Sequence, residues 1–194
     1  DSETSDPTDV GVYEHKEANS MVEEFMLLAN ISVAREITRA FPQFAMLRRH
    51  PPPTPGAFAG LQKNLQQHGM VLDDSNSLKL TASLDRCVKP EEPYFNKLAR
   101  ILCTRCMQQA RYFCSGSVSP SDYHHYGLAA PIYTHFTSPI RRYSDQMVHR
   151  LLAAVIRWEA VAADSLDATA MGELVDNLNL RHTMAQHAGR ASVG

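Results

Sequence analysis

Residues 135–145 read His135-Phe136-Thr137-Ser138-Pro139-Ile140-Arg141-Arg142-Tyr143-Ser144-Asp145, and the pattern of the chain is organised around them. Thr137 or Ser138 can cap a helix, and Pro139 suits a first helical turn because its missing N–H would be unpaired there anyway. The spacing therefore predicts a helix starting near Pro139. Ile140, Met147, Leu151 and Val155 then recur at helical intervals, widened by Leu152 and Ile156, so one face is built for burial. The free N–H groups at such a helix start would lie beside the guanidiniums of Arg141 and Arg142 and the hydroxyls of Thr137 and Ser138. Converging donors with permanent positive charge are what a phosphate requires. Asp145 follows Arg141 by four residues and Arg142 by three, so it can pair with either and hold it in one rotamer. The same pattern also fits an ordinary capped and solvated helix end, since caps and surface ion pairs are common.

Upstream, residues 16–41 form the longest helical candidate, ended by Pro42. Val22, Phe25, Met26, Ala29, Val33 and Ile37 share a broad apolar face, which predicts a helix buried on most sides. Glu23 and Asn30 are seven apart and project on the same side of this rod. A buried carboxylate or amide must find partners or line a polar cavity, so both are candidates either for substrate contact or for structural hydrogen bonding.

Tyr133 and Thr134, joined to residues 135–145 and to Val148-His149-Arg150, resemble the signature of the RNB family, the ribonuclease II and R type exoribonucleases. Met21-Val22-Glu23-Glu24-Phe25-Met26-Leu27-Leu28-Ala29-Asn30 resembles that family's other long motif. With Arg105-Cys106-Met107 and His124-His125-Tyr126-Gly127-Leu128, the likeness is nearest to the eukaryotic exosome-associated members. The resemblance implies a processive 3′→5′ hydrolysis of single-stranded RNA to nucleoside 5′-monophosphates with magnesium. It implies Arg141 as the catalytic cation and Thr137 and Ser138 as holders of the adjacent phosphate. Arg142, Tyr143, Asp145, His149 and Arg150 would orient these or pack behind them. Glu23, and with it Asn30, would lie near the 3′-terminal nucleotide, and Tyr133 and His135 belong to the same substrate-binding set. The family's magnesium ligands are a cluster of aspartates in a motif upstream of both stretches, and the pair Asp73-Asp74 lacks that motif's surroundings. The metal ligands are thus expected outside this chain, none within it.

The implied fold is α+β, a predominantly α-helical portion of an RNB catalytic domain with a few strands, spanning residues 1–194 as part of one domain. The chain opens at Asp1 and stops at Gly194 inside a helical pattern, so it is expected to be a piece of something longer and, alone, inactive. Implied partners are single-stranded RNA and the RNA exosome core, with no membrane. The expected location is intracellular, the cytoplasm ahead of the nucleus. A noncatalytic RNA-binding or helical protein-interaction module is the alternative.

Bulk properties fit a folded domain: 194 residues, 44% hydrophobic and 21% charged. A net charge of −2 argues against a broad basic nucleic-acid face, so contacts to RNA must be local. No run approaches the roughly 18 apolar residues of a membrane span. Cys87, Cys103, Cys106 and Cys114 read as packing residues rather than as a disulfide frame or zinc site, and the spacing of His124, His125, His135 and His149 fits no standard ligand set.

The remaining expectations are local. Residues 1–9 read as exposed, with an extended stretch at Val10-Gly11-Val12-Tyr13. Leu47-Arg48-Arg49-His50 reads as a basic turn, solvated or touching a nucleic-acid backbone, that enters the stiff Pro51-Pro52-Pro53-Thr54-Pro55 connector. Helices are predicted over 56–68, with Gly69 as C-cap, over 78–88, over 94–114, stopped by Gly116, and over 170–192. Loops are predicted over 117–125 and 160–169, and a strand or extended segment over 126–136. Where some bacterial relatives carry an acidic residue near the end of the last helix, this chain has Gly189 or its neighbours.

Overall fold

The computed structural model describes residues 16–160 and 167–193, so the expectations for residues 1–13, and most of that for 160–169, lie outside the described residues. In chain order the elements are α1 (Glu17–Ala40), β1 (Met46–Arg49), α2 (Ala59–Gln67), α3 (Ser77–Asp85), α4 (Phe95–Arg105), β2 (Arg111–Cys114), α5 (Tyr143–Val155) and α6 (Ala168–Val193), with three short 3₁₀ turns between β2 and α5. The architecture is α+β and mainly helical.

The helix predicted over 94–114 ends at Arg105, and Tyr112, Phe113 and Cys114 continue as strand β2. Aromatic residues suit a pleated, buried surface, and pairing with β1 outweighs the helical spacing of Cys106 and Ala110. The basic turn expected at residues 47–50 is the partner strand. β1 and β2 run antiparallel in the register Met46 to Cys114, Leu47 to Phe113, Arg48 to Tyr112 and Arg49 to Arg111. Met46 and Leu47 are both fully buried although they point to opposite faces, so this small ribbon is covered on both sides.

Helix α6 covers the ribbon through Asn179, whose amide oxygen accepts from the Tyr112 N–H and whose amide nitrogen donates to the Tyr112 carbonyl, each at 2.9 Å. The side chain does for β2 what a third strand would do. On the other side, residues 126–136 run along β1 without forming the predicted strand. Tyr126–Leu128 is a 3₁₀ turn, Ala129 takes a left-handed φ of 49°, and the extended part bonds irregularly. Arg48 N–H donates to the Tyr133 carbonyl at 2.8 Å and the Thr134 hydroxyl to the Met46 carbonyl at 2.7 Å.

Two apolar clusters result. The first joins Ile37 of α1, Met46 and Leu47 of β1, Phe113 of β2, Val148 and Leu151 of α5, and Met171 and Val175 of α6. The second, among α2, α3 and α4, contains Phe58, Leu65, Leu80, Leu84, Cys87 and Cys103. The cysteines therefore pack, as their spacing suggested. Gly69 has the positive φ, 71°, that a helix-ending glycine supplies.

Helix α1 departs from the expectation of burial on most sides. Only Asn30, Ala34 and Ile37 are buried, while Met21, Val22, Phe25 and Leu28 are exposed by half or more. Its C-terminal half lies against α5. Gly116 does not stop a helix either. A Cβ there would come within 2.7 Å of the Gln43 carbonyl, whose oxygen accepts the Gly116 N–H at 3.2 Å. The glycine is needed for this close approach.

Replacing Leu151, fully buried at the junction of α5 with the ribbon, by alanine should cost about 2–5 kcal/mol in urea unfolding monitored by circular dichroism. A loss under about 1 kcal/mol would contradict the assignment of this leucine to a tightly packed core.

Candidate phosphate-binding loop

The helix predicted from Pro139 starts four residues later. Arg142 is its extended N-cap (φ −130°, ψ 118°), and residues 139–142 form a turn in which the Arg141 and Arg142 N–H groups both donate to the Ser138 carbonyl, at 3.3 and 3.2 Å. Ile140, expected on the buried stripe, is fully exposed as a result. The cause is Asp145. Its carboxylate accepts the Ser138 N–H at 2.7 Å and both Nε and Nη2 of Arg142 at 2.8 Å, and pulling these donors together requires a turn rather than a helix.

Asp145 is completely buried, in the first turn of α5, where the helix dipole favours negative charge. Burial by itself would raise its carboxyl. The hydrogen bonds from Arg142 and Ser138, with the charge of Arg142, outweigh it and hold the group below the usual carboxylate range. Of the two arginines that spacing allowed, the structure therefore commits Arg142 to Asp145. Arg141 is exposed, makes only a long 3.5 Å contact to the Ser138 hydroxyl, and has no carboxylate partner among the described residues. It is the loop's available guanidinium.

The segment leading into the loop is clamped from beneath. Asn30 accepts the Phe136 N–H at 2.9 Å through its amide oxygen and donates to the Tyr133 hydroxyl at 3.0 Å. His149 reaches the Phe136 carbonyl at 2.8 Å through Nε2 and stacks on the Phe136 ring at 4.2 Å. The Ser144 hydroxyl donates to that of Tyr112 at 3.0 Å, and Tyr112 reaches Nδ1 of His135 at 2.6 Å. The predicted residues Asn30, Tyr133, His135, Asp145 and His149 are thus brought together as an inward-facing bracket, with Thr137, Ser138 and Arg141 on the loop it holds. Tyr143 is half-exposed at the start of α5. Two predicted residues stand apart: Glu23 is exposed on α1 about two turns from Asn30, and Arg150 is exposed on α5 with its only described bond to the Met147 sulfur.

Sequence reasoning missed Arg48, Tyr112, Ser144 and Phe136. The guanidinium of Arg48 lies over the Tyr112 ring, 4.8 Å from its centre. Burial, against the partial offset of the Tyr112 and Tyr133 hydroxyls, lowers the Arg48 pKa. Its signal was present in the Arg48-Arg49-His50 run, but only the pairing with Tyr112 turns it inward. Burial, then Arg142 and Arg48, pushes His135 down to about 3, and burial with His50 and Arg48 pushes His125 down to about 4. Both rings are neutral near pH 7. Nδ1 of His125 is buried with no described partner. No three His, Cys, Asp or Glu side chains converge as a metal site among the described residues.

Residues 1–157 match the RNB domain family. The chain belongs to the RNB family. It is 57% identical over 194 residues to the exosome complex exonuclease dis3 of Schizosaccharomyces pombe, covering all of this chain and 20% of that protein. The RNB chain thus spans about a fifth of the length of this curated relative. Among solved structures, its fold is similar to that of yeast Ssd1, described as a pseudonuclease, with a TM-score of 0.72 and 33% identity over 83% of this chain and 19% of that one. It is also similar to Mycoplasma genitalium RNase R in complex with double-stranded RNA, with a TM-score of 0.73 and 26% identity over 92% of this chain and 31% of that one. The RNB resemblance of the motif residues, the α+β class and the exoribonuclease family agree with these likenesses.

Because the folded Asp145 carboxyl titrates below its unfolded value, the stability it contributes is present above about pH 4 and is lost as pH falls through the folded pKa. Asp145→Ala should cost about 3–5 kcal/mol at pH 7, since it leaves the Arg142 charge and the Ser138 N–H without their partner. It should also flatten stability against pH in the acid range; an unchanged acid limb would contradict the assignment. The imidazoles have the opposite sign. Their folded pKa values are depressed, so the unfolded chain takes up protons first and stability falls as pH drops below about 6.5. In a ¹H–¹³C titration from pH 8 to 5, the His135 ring signals should stay fixed; a midpoint above pH 6 would refute the burial described.

Proposed function

We propose that this chain is the loop-bearing part of a processive 3′→5′ exoribonuclease that hydrolyses single-stranded RNA to nucleoside 5′-monophosphates. The observation that carries the proposal is the buried Asp145, which spends Arg142 and the Ser138 N–H on shaping the loop and leaves Arg141 exposed on a fixed backbone. The likeness to a protein named as an exosome complex exonuclease supports it.

In the proposed reaction, water attacks the phosphorus of the terminal linkage. The bond to the 3′ oxygen of the preceding nucleotide breaks, and the last nucleotide leaves with its 5′ phosphate. Negative charge gathers on the nonbridging oxygens in the transition state, where a guanidinium aimed in advance is most effective. Arg141 takes that role. Thr137 and Ser138 hold the neighbouring phosphate, and Tyr143 flanks the substrate. Arg142 acts through Asp145 as a positioning residue, as do Asn30, Tyr133, His135 and His149 through the bracket under the loop. Glu23 and Arg150 contact RNA farther along, the carboxylate accepting from ribose hydroxyls.

The described residues do not fit a magnesium ion, because they bring no three suitable ligands together and the Asp145 carboxylate is already engaged. The proposal takes magnesium from ligands outside this chain. It includes single-stranded RNA and the exosome core as partners and an intracellular, chiefly cytoplasmic, place of action. A noncatalytic RNA-binding role is the second reading, favoured by the likeness to a protein described as a pseudonuclease.

The test is degradation of a 5′-labelled single-stranded RNA with magnesium, by this chain and by a form extended upstream, each with and without Arg141→Ala. Activity is expected in the extended form alone, reduced at least about 100-fold by the substitution. RNA bound but left intact by a folded extended form would replace the catalytic reading with the binding one.

A further inference from the structure

On the far side of the Tyr112 ring from the loop, the end of α4, strand β1 and helix α6 enclose an open cavity of about 430 Å³. Its charged lining is Arg48, Arg105 and Arg190, with the imidazoles of His50, His182 and His187, and it includes no carboxylate. The chain as a whole carries 21 acidic against 19 basic residues, so a wall with three arginines and no acid departs from its balance. Neither Arg48, Arg105 nor Arg190 belongs to a salt bridge among the described residues.

Arg48 is the decisive member. It is partly withdrawn from water, its partner is a neutral ring, and the charge of Arg142 repels it from across the bracket. A guanidinium held this way lacks the counter-ion that burial calls for. The wall opposite is set in place beforehand. Gln109 donates to the Gln186 amide oxygen at 2.9 Å, Gln186 reaches Nε2 of His182 at 3.2 Å, and Asn179 ties the same helix to β2. Fixed donors and unneutralised guanidiniums, in a volume that admits a nucleotide-sized group, match the geometry and charge of a phosphate.

We propose that this cavity is a second phosphate-binding site, distinct from the loop at residues 137–142, and that it takes a phosphate of single-stranded RNA. That the phosphate belongs to RNA rests on the functional reading above; the site's preference for phosphate does not. A mononucleotide offers the same chemistry, so the test separates the two sources.

The 194-residue chain would be titrated with an eight-nucleotide RNA, with AMP and with inorganic phosphate, following the His182 and His187 ring signals against sodium chloride at equal ionic strength. RNA affinity and its salt dependence would be measured for the parent, for Arg105→Gln with Arg190→Gln, and for Arg141→Ala. Arg105 and Arg190 are exposed, so the double variant should keep its circular dichroism spectrum. The expected result is movement of both histidine signals with RNA, about tenfold weaker RNA binding in the double variant, and a salt slope shallower by about 1.4. Equal movement with AMP and inorganic phosphate would support the site with a free phosphate as its source. No movement beyond the chloride control would overturn it, as would RNA affinity and slope unchanged in the double variant. If only Arg141→Ala weakens RNA binding, this site fails and the reading of the loop stands; if only the double variant does, the reverse holds.

Discussion

A carboxylate with no exposed surface, Asp145, is bound to three donors from two points of the chain, and the geometry of the candidate site follows from satisfying it. An ionised group in that position is tolerable only when its oxygens are filled, and the donors at hand are the Arg142 fork and the Ser138 N–H. Bringing them to one carboxylate bends residues 139–142 into a turn, delays α5 to Tyr143 and turns Ile140 out to solvent. Arg141 is left facing outward because its neighbour is taken. An arginine pair of equal appearance in the sequence is thereby divided into one cation that shapes the protein and one that is free to meet something else.

The bracket beneath the loop depends on the same economy of polar groups. Asn30, from the middle of an otherwise apolar helix, uses both ends of its amide on residues 133 and 136. Tyr112 projects from β2 between Arg48 on one side and Ser144 and His135 on the other. Because each of these groups is satisfied by another member, the loop's base is a closed set of contacts in which every position is specified by its neighbours.

What the sequence made legible were the long periodic helices and the motif residues. Helices α1 and α6 begin and end within a few residues of where their patterns do, and the residues singled out from 133 to 149 do come together. The four-residue strands were hidden. Arg48 and Arg49 make β1 look like a solvated turn, and β2 continues the spacing of α4, so only the pairing across the fold distinguishes them. The start of α5 was misplaced for a related reason: Ser-Pro is a good local helix start, and the demand of a buried carboxylate several residues on overrides it. The apolar face of α1 was read correctly as apolar, but its burial is a property of what packs on it, which periodicity cannot supply.

The pairing of β1 with β2 has a kinetic side. Met46 and Cys114 are adjacent in space, and the whole α2–α4 cluster lies between them in the chain. Helices built on contacts close in sequence can form early, whereas the ribbon must wait for its distant ends to meet. A compact α2–α4 unit shortens the effective loop that has to be closed, so residues such as Leu65 and Leu84, far from any phosphate, set how readily the two strands find each other. Since Tyr112 stands on one strand and Arg48 on the other, both candidate sites come into being only at that late meeting.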